Sequence, residues 1–161
     1  MAIFEKNIYP QARGITQLQE QKLQELLAYV GTHSPFYKEL FAKHGVNVSE
    51  IKTLAGLSAI PPTTKDDLQQ RNDDFLCVPR EQVIEYTSTS GTLGRPVTIA
   101  LTEKDLERLA YNEYNSFLCA DGSKEDTYQL MLTLDRQFMA GIAYYLGIRR
   151  IGAGIIRLGP G

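Results

Sequence analysis

The chain has 161 residues, of which 43% are hydrophobic and 22% charged, a balance typical of a globular domain with its own core. Its formal net charge of −2 argues against a basic surface, so neither nucleic acid nor a membrane is expected as a partner. No apolar run approaches the roughly 20 residues needed to span a bilayer, and the N-terminus lacks the apolar stretch of a signal peptide. These features predict a cytoplasmic protein.

Cysteine and histidine are too sparse to suggest a metal centre. Cys77 and Cys119 show no CxxC spacing and have no histidine neighbour, so we expect free thiols and no metal site. His33 and His44 each stand at the edge of a predicted helix, where capping or an interaction with the helix dipole is a commoner role than catalysis.

Helices are predicted for the first third of the chain. Thr16 can cap a helix with apolar residues at spacings of three and four, and Gly31 ends that pattern. Ser34 followed by Pro35 marks a second helix start, and Gly45 marks its end.

Two shorter helices are expected next. Ser49 is predicted to cap a short helix that runs through Leu54. Thr64 and Asp67 stand at the spacing of a capping box, so another helix should begin near Lys65.

Strands are predicted only after Pro79. β-rich runs occupy 82–87 and 97–101, and Thr102 with Asp105 forms a capping box that opens the next helix. Further along, a strand at 127–133, a helix at 138–152 and a strand at 154–158 follow in that order.

The element order indicates an α/β fold, in which N-terminal helices precede an incomplete, largely parallel sheet flanked by helices. We divide the chain into a helical N-terminal region at 1–78 and an α/β region at 79–161 that carries the phosphate loop described below. A strand so near the last residue is expected to need further strands around it. The α/β region is therefore expected to be part of a larger domain.

A polar loop, "YTSTSGTLGRP" at 86–96, separates the first two predicted strands. Glycines let a backbone approach a ligand, successive N–H groups can hold an anion, and hydroxyls and an arginine add donors. The Walker pattern and the dinucleotide fingerprint are both absent. A flexible hairpin connection rich in serine and threonine is the alternative. The candidate phosphate-binding residues are Ser88, Thr89, Ser90, Gly91, Thr92, Gly94 and Arg95.

Several motifs, in order, resemble the phenylacetate–coenzyme A ligase-like branch of the adenylate-forming enzymes. "TSGTLGRP" at 89–96 is similar to their phosphate loop, and "HSPFYKELFAKHGV" at 33–46 to their N-terminal helix. "IPPTTKDDL" at 60–68 and "YYLGIRRIGAGIIRLGPG" at 144–161 resemble two further segments of that branch. The resemblance extends from about Ser34 to the end of the chain.

The resemblance implies a ligase that uses ATP, Mg2+ and coenzyme A. A carboxylic acid would attack the α-phosphate of ATP to give an acyl-adenylate, and the thiol of coenzyme A would then displace AMP. The loop residues would hold the departing pyrophosphate. The adenine-binding segments, the catalytic lysine and the magnesium-binding glutamate of such enzymes are expected downstream of Gly161, so this chain alone is expected to be inactive.

The sequence departs from the family pattern at four positions. Leu93 stands where a hydroxyl is common, and Arg95 replaces the more usual lysine. In "LDRQFMAGI" at 134–142, which matches an acid-binding segment of the family, Phe138 and Gly141 are retained as substrate-binding candidates. Asp135 and Arg136 replace an aromatic residue and a glycine. This carboxylate and guanidinium suit a more polar acid, or they pair with each other. We expect an aryl or acyl carboxylic acid of unspecified identity, and core packing at a helix start is the alternative for Phe138.

Two rival interpretations remain open at the level of sequence. The chain could be a non-catalytic interaction or regulatory module that retains the fold, or a stand-alone nucleotide-binding protein. Exposed apolar surface would also let two copies associate, which leaves a homodimer as an expectation.

Overall fold

A computed structural model describes residues 12–89, 91 and 95–160 of the chain. The chain divides into two compact units that meet in sequence between Pro79 and Arg80. The first unit is helical, and the second combines strands and helices. Every helix in the described ranges is too short or too polar to serve as a transmembrane span.

Two helices of the first unit have the caps that the sequence predicts. The Ser34 hydroxyl accepts a hydrogen bond from the amide of Tyr37, and Gly45 ends the second helix in the left-handed region at φ 63°. The capping box of Thr64 and Asp67 is also present. The helices are α1 (Ala12–His33), α2 (Pro35–His44) and α3 (Lys65–Gln70).

Two expectations for this unit were wrong. Helix α1 begins before Thr16 and continues through Gly31, because helical hydrogen bonding persists to the bond from Ser34 N to the Val30 carbonyl at 2.9 Å. Ser49 does not cap a helix. Instead Asn47 accepts from the Ser49 amide at 3.1 Å and caps a single 3-10 turn. The 3-10 segments of this unit are Val48–Glu50, Leu54–Ala59 and Asn72–Phe75.

The core of the first unit forms where α1 and α2 pack together. Leu23 and Leu27 of α1 contact Phe41 of α2 and Ile51 in one buried cluster. Burial of such side chains contributes about 1.5–3 kcal/mol each to folding.

The second unit begins with a 3-10 turn at Arg80–Gln82 and then alternates strands with helices. The Thr102–Asp105 capping box that the sequence predicts opens the first of these helices. The elements are β1 (Glu85–Ser88), β2 (Thr98–Leu101), α4 (Glu103–Cys119), β3 (Thr127–Leu130), α5 (Met139–Ile151) and β4 (Gly154–Arg157).

The α/β class is confirmed, with small sheets, one of them parallel, where the sequence indicated an incomplete, largely parallel sheet. The named strands form two two-stranded sheets, an antiparallel pair β1–β2 and a parallel pair β3–β4. The connection between β1 and β2 is a short loop, which suits antiparallel neighbours, whereas β3 and β4 are joined through helix α5, as a parallel crossover requires.

Helices α4 and α5 lie in close contact at Gly147. A Cβ atom at Gly147 would overlap the side chain of Glu113, so the glycine allows α5 to approach α4. Ile148 is fully buried beside it. The Phe117 ring packs on Tyr128 of β3 at 4.9 Å between centroids. These contacts hold α5 against α4. They therefore determine the position of the N-terminus of α5, next to Phe138.

Candidate functional site

The hydroxyl- and glycine-rich loop joins β1 to β2, and its base is closed by hydrogen bonds. The amide of Thr89 donates to the Val97 carbonyl at 3.0 Å, and the amide of Val97 donates to the Thr89 hydroxyl oxygen at 3.0 Å. Thr89 therefore uses its side-chain oxygen as an acceptor at the base of the loop.

Two further candidates lie within the part of the loop that the structure describes. Gly91 has φ 65°, a conformation that side chains other than glycine rarely adopt. Arg95 is exposed, as a residue that binds a soluble anion should be. Ser90, Thr92 and Gly94 lie outside the described residues, so their part in phosphate binding stays a prediction.

The second candidate segment lies directly beside the loop. The amide of Ser88 donates to the carbonyl of Gln137 at 2.9 Å, and Ser88 forms a parallel bridge with Phe138. The structure thus brings together two regions that the sequence marked separately, one for phosphate and one for the acid. This adjacency is what a reaction between a carboxylate and a nucleotide would require.

Phe138 and Gly141 occupy different environments at the start of α5. Phe138 is the N-cap residue and its side chain is 42% exposed, so the alternative of core packing is not supported. Gly141 is buried, and a Cβ atom there would overlap the carbonyl oxygen of Thr133. Gly141 therefore acts in the described structure by letting α5 approach the chain that precedes it.

Asp135 and Arg136 stand at the exposed rim of this segment. Their side chains are 71% and 89% exposed, and 3.9 Å separates Arg136 Nε from Asp135 Oδ2. An exposed pair at that distance contributes little to stability. Arg136 and Gln137 both have left-handed backbones, with φ 55° and 58°. Glycine, which the family pattern has at the position of Arg136, adopts that conformation without strain.

Sequence reasoning missed Thr87. Only 1% of this residue is exposed, and its hydroxyl oxygen has no hydrogen-bond partner among the residues that the structure describes. Its strand alternates exposed Tyr86 with buried Thr87, so the period of two in a half-buried strand could have marked it as an inward-facing polar residue. Buried hydroxyls without partners are uncommon, which makes this one notable next to the loop.

The ionisable residues outside the loop show no catalytic grouping in the described part of the chain. His33 Nδ1 lies 2.9 Å from the Tyr29 carbonyl, and His44 is exposed in the last turn of α2. Burial raises the pKa of the Cys77 thiol, which makes it a poor nucleophile at neutral pH. Within residues 12–89, 91 and 95–160, no three His, Cys, Asp or Glu side chains converge in a way that could hold a metal ion.

The fold is that of the N-terminal part of an adenylate-forming coenzyme A ligase. It superposes on the crystal structure of 2-hydroxyisobutyryl-CoA ligase in complex with 2-HIB-AMP and CoA with a TM-score of 0.84 and 23% sequence identity. The match covers 94% of this chain and 33% of that one. At 23% sequence identity, this structural similarity establishes the fold alone.

Two curated relatives of this chain carry the same name. The chain is 31% identical to phenylacetate–coenzyme A ligase from Escherichia coli over 145 residues, which is 89% of this chain and 33% of the relative. It is 38% identical to the enzyme of the same name from Thermus thermophilus over 94 residues, or 58% of this chain and 21% of that enzyme. No family model matches the chain.

The chain is therefore a homologue of the phenylacetate–coenzyme A ligases over most of its own length, which confirms the resemblance seen in the motifs. It spans about a third of the length of the E. coli relative.

Proposed function

We propose that this chain provides the phosphate-binding loop and part of the acid-binding surface of an AMP-forming acid–coenzyme A ligase. The observation that supports it most is the hydrogen bond between Ser88 and Gln137, which holds the base of the loop beside the segment of Phe138. The similarity to phenylacetate–coenzyme A ligases supplies the class of reaction.

The reaction consists of two displacements. A carboxylate oxygen of the acid attacks the α-phosphorus of ATP, and the bond to the leaving pyrophosphate breaks. The sulfur of coenzyme A then attacks the acyl carbonyl carbon, AMP leaves with its electron pair, and the thiol proton passes to water. The products are an acyl thioester, AMP and pyrophosphate.

The loop contributes electrostatic stabilisation to the first displacement. Negative charge builds up on the β- and γ-phosphates as the bond to the α-phosphorus breaks, and donors that are already in place lower that barrier. The loop amides, the hydroxyls of Ser88, Thr89, Ser90 and Thr92, and the guanidinium of Arg95 supply those donors. Gly91 and Gly94 leave the backbone open to the phosphates.

The described residues do not offer a set of metal ligands, so we assign no protein ligand for magnesium among them. Magnesium bound to ATP would neutralise phosphate charge.

The acid would contact the exposed ring of Phe138. Because this ring is 42% exposed and precedes α5 directly, it offers an apolar face next to the loop. An aryl or acyl carboxylic acid fits such a face, with Asp135 and Arg136 at its rim. Gly141 lies in close contact with Thr133, and this contact would hold the start of α5, next to Phe138, in position.

Binding of pyrophosphate to the purified chain tests the loop. Isothermal titration should detect binding that is lost in Arg95→Ala and retained in Arg108→Ala, a matched change of an exposed arginine on α4. Loss of one charged phosphate contact should weaken binding by about tenfold or more. A folded chain that binds neither pyrophosphate nor ATP would contradict the proposal.

A chimera tests the reaction itself. Replacing the matching 145-residue segment of the E. coli relative with this chain should yield an enzyme that releases pyrophosphate with phenylacetate and ATP. The same chimera carrying Arg95→Ala should be slower by about 10²-fold or more, since the lost donor acts on the developing charge. If both chimeras have equal activity, the loop does not play the role proposed.

A non-catalytic module is the second candidate, and Leu93 favours it because an apolar residue stands among the hydroxyls of the loop. Titration of a Leu93→Thr variant with pyrophosphate distinguishes a catalytic loop from a non-catalytic module. A catalytic loop should gain affinity for pyrophosphate, whereas a module that has lost phosphate binding should show none in either form.

A further inference from the structure

A tight turn presents two charged side chains next to the ring of Phe138. The amide of Phe138 donates to the Asp135 carbonyl at 3.2 Å, which closes a four-residue turn over 135–138. Both central residues, Arg136 and Gln137, have positive φ, as a type I′ turn requires. The end residues of such a turn have Cα atoms within about 7 Å of each other, so Asp135 and Phe138 are neighbours in space.

The Asp135 carboxylate and the Arg136 guanidinium lie close together without a hydrogen bond between them. Arg136 Nε is 3.9 Å from Asp135 Oδ2, which is beyond the range of a direct hydrogen bond. Neither charged group makes a hydrogen bond to another residue that the structure describes. Both side chains are exposed, so their donors and acceptors are accessible to a ligand.

The turn holds an arginine at a position where a side chain is unfavourable. The left-handed backbone of Arg136 disfavours every residue that has a Cβ atom, whereas glycine adopts it freely. Strained positions of this kind are concentrated at binding and catalytic sites. The long, exposed contact with Asp135 contributes too little to explain why a side chain stands there. A contact with a ligand would explain it.

The distance between the two charged groups suits a hydroxyl placed between them. A hydroxyl oxygen can lie about 2.8 Å from each of two atoms that are 3.9 Å apart, donate its hydrogen to the carboxylate and accept from the guanidinium. The pair has no net charge, so a neutral group meets no repulsion from it. A second carboxylate on the ligand would be repelled by Asp135.

We propose that Asp135 and Arg136 select an acid that carries a hydroxyl group on the part of the molecule remote from its carboxylate. This inference rests on the proposed function, in which the acid contacts the ring of Phe138 beside the phosphate loop. The two residues would thus be specificity-determining residues for the acid.

The turn lies near enough to the phosphate loop for one small acid to reach both. The amide of Ser88 donates to the Gln137 carbonyl at 2.9 Å, which places the Cα atom of Arg136 within about 9 Å of the Ser88 nitrogen. A substituted aryl acid is long enough to extend from the loop to the charged pair. Its apolar body, lying on Phe138, would shield the pair from water and so strengthen both hydrogen bonds.

Two probes of nearly equal size test this selection. 4-Hydroxyphenylacetate and 4-methylphenylacetate are titrated into the purified chain, and their Kd values are measured by NMR. We expect the hydroxyl acid to bind about fivefold more tightly or better, because a hydrogen bond to a charged group is worth at least that factor. Arg136→Gly, which suits the left-handed turn, and Asp135→Ala should each bring the two Kd values within about twofold of each other. Arg108→Ala on α4 should leave the ratio unchanged.

Other results would overturn the proposal. Equal affinity of the parent chain for the two acids, binding of neither acid, or a preference that survives in both variants would show that the pair does not select a hydroxyl. Tighter binding of 4-carboxyphenylacetate than of the hydroxyl acid would show that Arg136 selects a second anion instead.

Titration with pyrophosphate separates failure of this proposal from failure of the proposed function. Pyrophosphate binding that depends on Arg95, in a chain without the hydroxyl preference, would contradict the role of Asp135 and Arg136 alone. A hydroxyl preference in a chain that does not bind pyrophosphate would contradict the role of the phosphate loop and leave the selection by Asp135 and Arg136 supported.

Discussion

The main-chain amide of Ser88 donates to the carbonyl of Gln137 at 2.9 Å, and this bond joins the last residue of β1 to the turn that precedes α5. On the other side of β1, antiparallel pairing holds β2. The base of the candidate phosphate loop is therefore fixed between two segments, one of them distant in sequence. A change in the turn at Arg136 and Gln137 is expected to reach the loop through this bond.

The left-handed backbone at Arg136 predicts that glycine is tolerated better there than arginine. Left-handed φ costs a non-glycine residue about 1–2 kcal/mol, and the added flexibility of glycine in the unfolded chain returns about 0.5–1 kcal/mol of that. Arg136→Gly should thus raise the free energy of unfolding by a few tenths to about 1 kcal/mol, measured by urea denaturation. Arg136→Val should lower it, because β-branched residues fit this conformation worst. Destabilisation by the glycine would mean that the arginine side chain makes a contact worth more than the strain.

The hydroxyl of Thr87 predicts a stabilising substitution. This oxygen is buried without a hydrogen-bond partner in the described part of the chain, and such a group costs about 1–3 kcal/mol relative to a satisfied one. Thr87→Val keeps the shape, removes the hydroxyl and should raise the unfolding free energy by about 1 kcal/mol. The control is Thr102→Val, which removes a hydroxyl that caps α4 and should cost about 1 kcal/mol. If Thr87→Val destabilises the chain, the hydroxyl has a partner in solution, such as an ordered water.

The capping motifs in the sequence correctly predicted where helices α3 and α4 begin. The capping boxes of Thr64 and Thr102 form as expected, because a side chain three residues from its partner amide needs nothing else from the fold. The strand–loop–strand order around residue 90 was also predictable, since polar and glycine residues interrupt two β-rich runs. The phosphate-loop candidates were found in the same way.

Long-range pairing was not predictable from these signals. Whether β1 lies beside β2 alone or also beside residues 137–138 depends on contacts between distant segments, which period and composition do not encode. For the same reason, the sequence indicated an incomplete, largely parallel sheet without separating the antiparallel pair β1–β2 from the parallel pair β3–β4. The guanidinium groups of Arg149 and Arg157 likewise meet at the Tyr145 ring only once β4 has folded back along α5.

Three helical glycines should respond to alanine in opposite directions. Alanine favours a helix by about 1 kcal/mol over glycine, so Gly31→Ala, where the new Cβ would lie 3.4 Å from the Phe41 ring, should stabilise the chain by about 0.5–1 kcal/mol. At Gly141 and Gly147 the Cβ would overlap Thr133 and Glu113. Overpacking typically costs about 1–3 kcal/mol, so these two variants should be less stable.

Thermal unfolding of the three variants provides the measurement, with Gly31→Ala as the matched control for helix propensity. A Gly147→Ala variant as stable as the parent would show that α4 and α5 separate readily, against the close contact described above.

The capping box of α3 predicts how stability depends on pH. The Asp67 carboxylate accepts hydrogen bonds from the Thr64 hydroxyl at 2.6 Å and the Thr64 amide at 2.8 Å, and these bonds lower the pKa of Asp67, the hydroxyl most. Because the folded pKa lies below the unfolded one, the stabilisation is complete above the unfolded pKa and is lost as the pH falls through the folded value. The parent chain should therefore exceed Asp67→Asn in unfolding free energy at pH 7, and the difference should shrink as the pH falls below 3.8, the ordinary pKa of the group. Asp66→Asn removes an acidic residue of the same turn that lies outside the capping box, and its effect should be smaller at pH 7. A difference between the parent and Asp67→Asn that stays constant from pH 7 to 3 would show that the ionised carboxylate does not stabilise this cap.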